Sequence, residues 1–319
     1  MEERMKILQL VAEGKLTPEQ ADMLLDALDN KQSPKNDSKM AWDRATDELK
    51  SLGTQMSSAL MQGLSELRRG LEVNLSNLTF GETVNASVEH EFPAGIDTLH
   101  VTTTNARVRL EHWTQPFVRV YVHADVRVEE PHRAKEELQA AVVTSAVDGQ
   151  AILELRTNTE RAKIGSSRID VYLPDSMRTV TVKSRNGATF ADHIEVQELS
   201  LDTVNGQLRL DHTKCVTMRL TTQNGSIHLF NALCDEARDL FATSRNGAIH
   251  VNGLPSSIPI QGTAKTINGN VQVVHPSLTV LYDRDDRKNH CTFERGQMGD
   301  EVNGLSVYLE TKVGKITVQ

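Results

Sequence analysis

The sequence predicts a mainly β protein, a single-stranded β-solenoid (β-helix-like), with an α-helical region at its N-terminus. One motif with strand periodicity recurs at intervals of 19, 19, 22 and 22 residues between Ser184 and Val273. An apolar periodicity of three and four residues is confined to the first 72 positions. Composition agrees with a folded, non-membrane chain: 319 residues, 38% hydrophobic and 24% charged, are too apolar for disorder and too polar for membrane spans.

Along the chain, Ile7, Leu8 and Val11 form the first apolar stripe, and Gly14 closes that helix. Thr17-Pro18-Glu19-Gln20 starts a second one, with Thr as N-cap, Pro at the first position and Gln three residues on. Ala21, Leu24, Leu25 and Leu28 continue it, so residues 1–30 read as a helical hairpin. Little positive charge lies there, which excludes a DNA-reading helix-turn-helix. Residues 31–39 are a polar linker. Residues 40–72 read as one long amphipathic helix, with Trp42, Ala45, Leu49, Leu52, Met56, Leu60, Leu64, Leu67 and Leu71 on one side. From Lys39 to Glu72 five basic residues balance five acidic ones, which suits a protein surface or the open end of a solenoid better than a lipid surface.

From residue 80 onward the pattern changes to strands. Asp97–Leu110, Phe117–Val128, Ala151–Arg156 and Ile169–Leu173 alternate or are β-rich, and a short amphipathic helix near 131–144 interrupts them. The repeat follows: SRNGATF from Ser184, TVNGQLRL from Thr203, TQNGSIHL from Thr222, SRNGAIHV from Ser244 and TINGNVQV from Thr266. A degenerate copy, TTNARVRL, starts at Thr103, and a late one, TKVGKITV, at Thr311. The repeat corners are Asn186-Gly187, Asn205-Gly206, Asn224-Gly225, Asn246-Gly247 and Asn268-Gly269, explained by glycine's freedom at positive φ and asparagine's tolerance of it.

Positions four and two before each Asn, and three and five after it, share one apolar, β-prone face. Arg209, His228, His250 and Gln272 fall on the other. A meander of hairpins would need a second turn signal in each repeat; one recurring signal per 19–22 residues suits one coil of a solenoid. Each Asn then sits over the previous one, and their amides can bond along the column. Asp283–Asp300 reads as a loop, and Leu305–Leu309 with Thr311–Val318 as a closing hairpin.

The net charge of −8 disfavours nucleic acid as a partner. The N-terminus lacks the basic start and unbroken apolar run of a signal peptide, and no stretch of about 18 apolar residues occurs, so a cytoplasmic location is expected, with peripheral membrane contact as the alternative. Cys215 and Cys234 lie one repeat apart and read as stacked buried thiols; Cys291 has no obvious mate.

Ile7–Leu28 resembles the short helical, SHOCT-like module that opens YvlB/LiaX-type bacterial proteins. Phe80–Gln319 resembles their adhesin-like, DUF-class β-strand-repeat domain, through LEHW (Leu110–Trp113), RIDVYLPDS (Arg168–Ser176) and the serial T/S-x-N-G turns. The resemblance implies a bacterial protein with a right-handed β-solenoid and a link to cell-envelope stress, and implies no enzymatic activity.

Three Asp/Glu-His pairs stand at one offset past the repeat Asn: Glu111-His112, Asp192-His193 and Asp211-His212. Stacked carboxylates and imidazoles suit a divalent cation, but the later copies carry Phe230 and Asn252 there, and no metal, cofactor or catalytic residue is assigned. His228 and His250 form a second column on the solvent face. Asp192 and Asp211 with Arg209 are the candidates for a carbohydrate-binding or polysaccharide-active groove, in which Asp192→Ala and Asp211→Ala should abolish glycan retention. The leading expectation is a non-enzymatic interaction scaffold whose N-terminal helices recruit a protein partner, with self-association; a filament-forming structural protein is the other alternative.

Overall fold

The computed structural model describes residues 82–283, 288–297 and 304–319. Residues 81–319 form one compact unit by themselves. The helical hairpin at 1–30, the linker at 31–39 and the helix at 40–72 lie outside the described residues.

In chain order the strands are β1 (Glu82–Glu91), β2 (Thr98–Thr103), β3 (Ala106–His112) and β4 (Arg119–Val128). A 3₁₀ turn, Pro131–Arg133, leads into the helix α1 (Ala134–Ala141). Then come β5 (Val142–Val147), β6 (Gln150–Leu155), β7 (Ala162–Leu173), β8 (Thr179–Asn186), β9 (Thr189–Asp192), β10 (Glu195–Asn205) and β11 (Leu208–Asp211). The remainder are β12 (Lys214–Asn224), β13 (Ile227–Phe230), β14 (Asp239–Asn246), β15 (Ile249–Asn252), β16 (Ile260–Asn268), β17 (Val271–Val273), β18 (Thr279–Tyr282), β19 (His290–Arg295), β20 (Leu305–Val313) and β21 (Ile316–Val318).

These strands make two sheets with one shared core. Each coil runs along one strand of a back sheet, turns at its Asn-Gly corner or equivalent, and returns along a strand of a front sheet. The front order is β1-β4-β7-β3-β9-β11-β13-β15-β21-β17, and the back order is β18-β19-β16-β20-β14-β12-β10-β8-β2-β6-β5. Neighbouring coils pair in parallel, with Asn186, Asn205, Asn224 and Asn246 in register. The predicted inward face is buried at nineteen of its twenty positions, Val273 being half-buried. Period-two burial of Val, Leu, Ile and Ala between two sheets is what stabilises the stack.

The coils do not stack in chain order. The coil β6–β7 lies outside β2–β3, and β20–β21 is inserted between β14–β15 and β16–β17. Two expectations are corrected by this. Residues 305–318 are not a hairpin but a further coil, because their two strands enter different sheets. Asn268 does not sit over Asn246, because Val313 takes the position between them. The segment expected as a loop at 283–300 contains β19, which pairs antiparallel with β16 and β18. Antiparallel strands cover three of the four sheet edges: β1 and β4 at one end of the front sheet, β5 at the same end of the back sheet, and β19 and β18 at the other end of the back sheet, while the front sheet ends there on β17, parallel to β21. Helix α1 packs on β1 and β4 with Ala134, Leu138 and Ala141 buried.

The repeat motif acquires a physical meaning for each residue. The Asn side chains form a ladder, each Nδ2 donating to the Oδ1 of the preceding coil: Asn186 to Asn105 (2.7 Å), Asn205 to Asn186 (2.8 Å), Asn224 to Asn205 (2.7 Å) and Asn246 to Asn224 (2.8 Å). The Thr or Ser two residues earlier donates to a neighbouring coil's glycine carbonyl: Thr222 to Gly206 (3.0 Å), Ser244 to Gly225 (2.9 Å), Thr311 to Gly247 (2.9 Å) and Thr266 to Gly314 (3.0 Å). The glycine is required by proximity. A Cβ on Gly225 would stand 2.0 Å from the Gly206 carbonyl oxygen, and one on Gly247 1.9 Å from that of Gly225. This corrects the conformational explanation at four of the five corners: Gly206, Gly225, Gly247 and Gly269 are not among the positive-φ residues, whereas Gly187 (φ 155°) is. The left-handed backbone lies instead at the second corner, seven residues past each Asn, at His193 (φ 52°), His212 (45°), Asn231 (47°) and Gly253 (85°).

Candidate functional site: the outer face of the front sheet

Outward-facing residues of the front sheet line up across neighbouring strands, which lie about 4.8 Å apart. One row reads Tyr121, Asp170, Arg109, Phe190, Arg209, His228, His250. The next reads Arg119, Tyr172, Glu111, Asp192, Asp211, Phe230, Asn252. Arg168 on β7 and Arg107 on β3 are partners in a third. The result is a shallow groove of 320 Å³ between Arg107, Arg109, Arg168 and Arg209, with Phe190 on its floor and Asp170, Asp192 and Asp211 along it.

Three of these four arginines have carboxylate partners. Arg109 meets Glu111 at 2.6 Å, Arg168 meets Asp170 at 2.7 Å through both Nε and a terminal nitrogen, and Arg209 reaches Asp211 at 3.5 Å. Arg107 lies over the Phe190 ring at 5.7 Å and forms no ion pair among the described residues. Asp170 is 5% exposed; its Oδ2 takes both Arg168 bonds, and its Oδ1 is buried with no hydrogen-bond partner among the described residues. At the Arg119 end of the second row, outside the groove lining, Trp113 packs edge-on against Phe117 (4.9 Å), donates its Nε1–H to the Phe117 carbonyl (2.8 Å) and carries the Arg119 guanidinium at 4.8 Å. Burial, and then the charges of Glu111 and Asp170, raise the Tyr172 phenol above its usual range.

The Asp-His pairs fall where the offset placed them. Asp192 and Asp211 are register partners, the His193 and His212 rings stack at 4.8 Å, and each Nδ1 meets its own neighbouring aspartate at 2.8 Å. His112 turns elsewhere, to Asp175 at 2.6 Å. Each aspartate thus engages its adjacent imidazole, and among the described residues no three His, Cys, Asp or Glu side chains gather to hold a metal ion. His228 and His250 stack at 4.9 Å and are half-buried. Burial lowers both pKa values, assisted at His228 by His250 and Arg209, and at His250 by Lys315. Cys215, Cys234 and Cys291 are free thiols; burial pushes Cys215 up to about 12 and Cys291 to about 11.

Sequence reasoning found Asp192, Asp211 and Arg209 and missed the residues facing them. Arg109 and Phe190 share Arg209's offset in their own copies, so their signal was present. Arg168 and Asp170 come from the β6–β7 coil, whose place beside β3 has no sequence marker.

The Toastrack DUF4097 family model matches residues 122–283, half of the chain. The chain belongs to the toastrack family. A SHOCT-like domain matches residues 2–33, ahead of the toastrack domain. Among solved structures, the toastrack chain is similar to a proposed cell adhesion protein from Clostridium sporogenes, at 14% identity and TM-score 0.43 over 73% of this chain and 98% of that one. It is also similar to a proposed adhesin from Bacteroides fragilis, at 11% identity and TM-score 0.39 over 73% and 97%. A third, from Parabacteroides merdae, has 10% identity and TM-score 0.34 over 75% and 98%. No curated protein matches the chain. Among the described residues no helix is long and apolar enough to cross a membrane.

Proposed function

We propose that this toastrack protein is a non-enzymatic interaction scaffold linked to bacterial cell-envelope stress. In this reading residues 1–72 recruit a protein partner from the cytoplasmic side, and the β stack supplies a rigid surface for that partner or for a second copy. The coils wind right-handed, the hand taken by about 98% of parallel strand crossovers.

The observation that supports the reading is the unbroken side-chain register across the front sheet. Outward residues from seven strands keep fixed positions in one row. The Asn ladder and the Thr/Ser-to-Gly bonds tie adjacent coils together at one corner. A surface fixed in this way loses little conformational entropy when a partner docks. Antiparallel strands at one end of both sheets, and at the other end of the back sheet, offer no continuation of the parallel ladder there; only the three-residue β17 ends a sheet on a parallel strand, which leaves the filament alternative a short edge.

The test is cross-linking in cells before and during envelope stress, with the full chain and with a chain starting at Val73. The reading expects one protein captured by the full chain in a stress-dependent manner and lost from the shorter one. An identical set of captured proteins in all four samples would sink it.

A further inference from the structure

The groove of the front sheet adjoins a second hollow of 550 Å³, and Arg107 borders both. The second hollow is lined by amides, hydroxyls and backbone, chiefly Asn105, Asn186, Ser166 and Ser167. A path therefore runs from the start of the Asn ladder, past an arginine that has no carboxylate partner among the described residues, onto an aromatic ring flanked by three more arginines. We propose that this path binds an acidic glycan, a chain of uronic-acid sugars, with Arg107 taking a sugar carboxylate. The site stands independently of the scaffold reading.

Each part of the path answers a part of such a ligand. A guanidinium fork matches a carboxylate in bidentate geometry, and among the described residues no carboxylate occupies that of Arg107. Phe190, with Arg107 over one face, offers the apolar surface that remains uncovered to the C–H groups of a sugar ring. The amides and hydroxyls of the second hollow both donate and accept, as sugar hydroxyls require. Together the hollows have the size of ligand clefts, and their strand walls are already in place before binding. The net charge of −8 disfavours a nucleic acid as the anionic ligand.

The experiment is calorimetry of the full chain with a short oligogalacturonate, its fully methyl-esterified form and inorganic phosphate, at low salt. Saturable binding of the acid is expected, with the uncharged ester weaker by about tenfold or more, as for loss of one charge-assisted contact. Arg107→Ala should lose a similar factor, Arg107→Lys should recover only part of it, and Phe190→Leu should weaken binding severalfold. Asp211→Asn should bind the acid more tightly, whereas a site using the aspartates to hold a neutral glycan would bind less tightly. Arg185→Ala, on the back sheet, should bind as the parent does. Because Arg107 is exposed, its variants should unfold at the parental temperature, which circular dichroism checks. Equal binding of acid and ester, no saturable binding, parental affinity in Arg107→Ala, or displacement of the glycan by phosphate at equal concentration would each overturn the proposal.

Discussion

Val313 stands in register between Asn246 and Asn268, and it ends the amide ladder. Five asparagines, from Asn105 to Asn246, bond in series on one side of it, and it is itself 47% exposed. Val313→Asn should complete the column to Asn268 and raise stability by about 1 kcal/mol for the hydrogen bonds gained. Urea unfolding reads the change. An unaltered midpoint would mean that the ladder follows from the coil geometry without contributing to stability.

Gly225→Ala places a methyl group 2.0 Å from the Gly206 carbonyl oxygen, closer than any real contact. The coils must separate at that corner, which also strains the Thr222 and Ser244 bonds. A loss of about 3 kcal/mol or more is expected, in the range of severe overpacking. A loss below about 1 kcal/mol would show that the corner yields easily.

Thr222 and Thr103 occupy equivalent positions with opposite outcomes. The Thr222 hydroxyl bonds to the Gly206 carbonyl at 3.0 Å, whereas the Thr103 hydroxyl is buried without a partner. Thr222→Val should therefore cost about 1 kcal/mol, and the nearly isosteric Thr103→Val should be neutral or stabilising. Equal effects from the two variants would refute the assignment of the bond.

The His228–His250 pair should make the protein acid-sensitive. Both folded-state pKa values lie below the ordinary 6.5, so the folded state binds fewer protons than the unfolded one. The stabilisation is present above pH 6.5 and is lost as pH falls through the lowered values. Arg209, Lys315 and the partner imidazole are the positive charges that oppose protonation. His228→Gln should flatten the stability curve below neutrality. Titration of either ring at or above 6.5, followed by NMR, would contradict this account.

Cys215 and Cys291 should resist thiol reagents at pH 8 in the native protein, because burial raises them to about 12 and about 11. Cys234, half-buried and raised by burial and Glu236, should react slowly. Full labelling of all three is expected only after unfolding; rapid native labelling of Cys215 would disprove its burial.

The inward and outward faces of the repeat were legible because strand burial has a period of two, and the Leu, Val and Ile of each copy fall on that period. The second corner escaped because His193, His212, Asn231 and Gly253 are three different residue types doing one backbone job. The order of the coils escaped for a related reason: every copy has nearly the same pairing pattern, so the slot for Thr311–Val318 is not marked. Its one trace is the replacement of Asn by Val313. One wall of the candidate groove depended on that kind of information, since Asp170 and Arg168 meet Arg109 and Arg107 only through the placement of β7 beside β3.

The inserted coil has a kinetic consequence. While the chain is being synthesised, β16 is the next back-sheet strand to emerge after β14, and β20, which separates the two in the sheet, begins 37 residues after β16 ends. Strands β14 and β16 end in the same Ser/Thr-x-Asn-Gly pattern, so an early, mistaken pairing between them satisfies the Asn268 amide on Asn246. That premature pairing must come apart before β20 can enter. Refolding should therefore show a slow phase that weakens when β16 loses its asparagine, as expected where non-native strand pairing competes with a long-range contact.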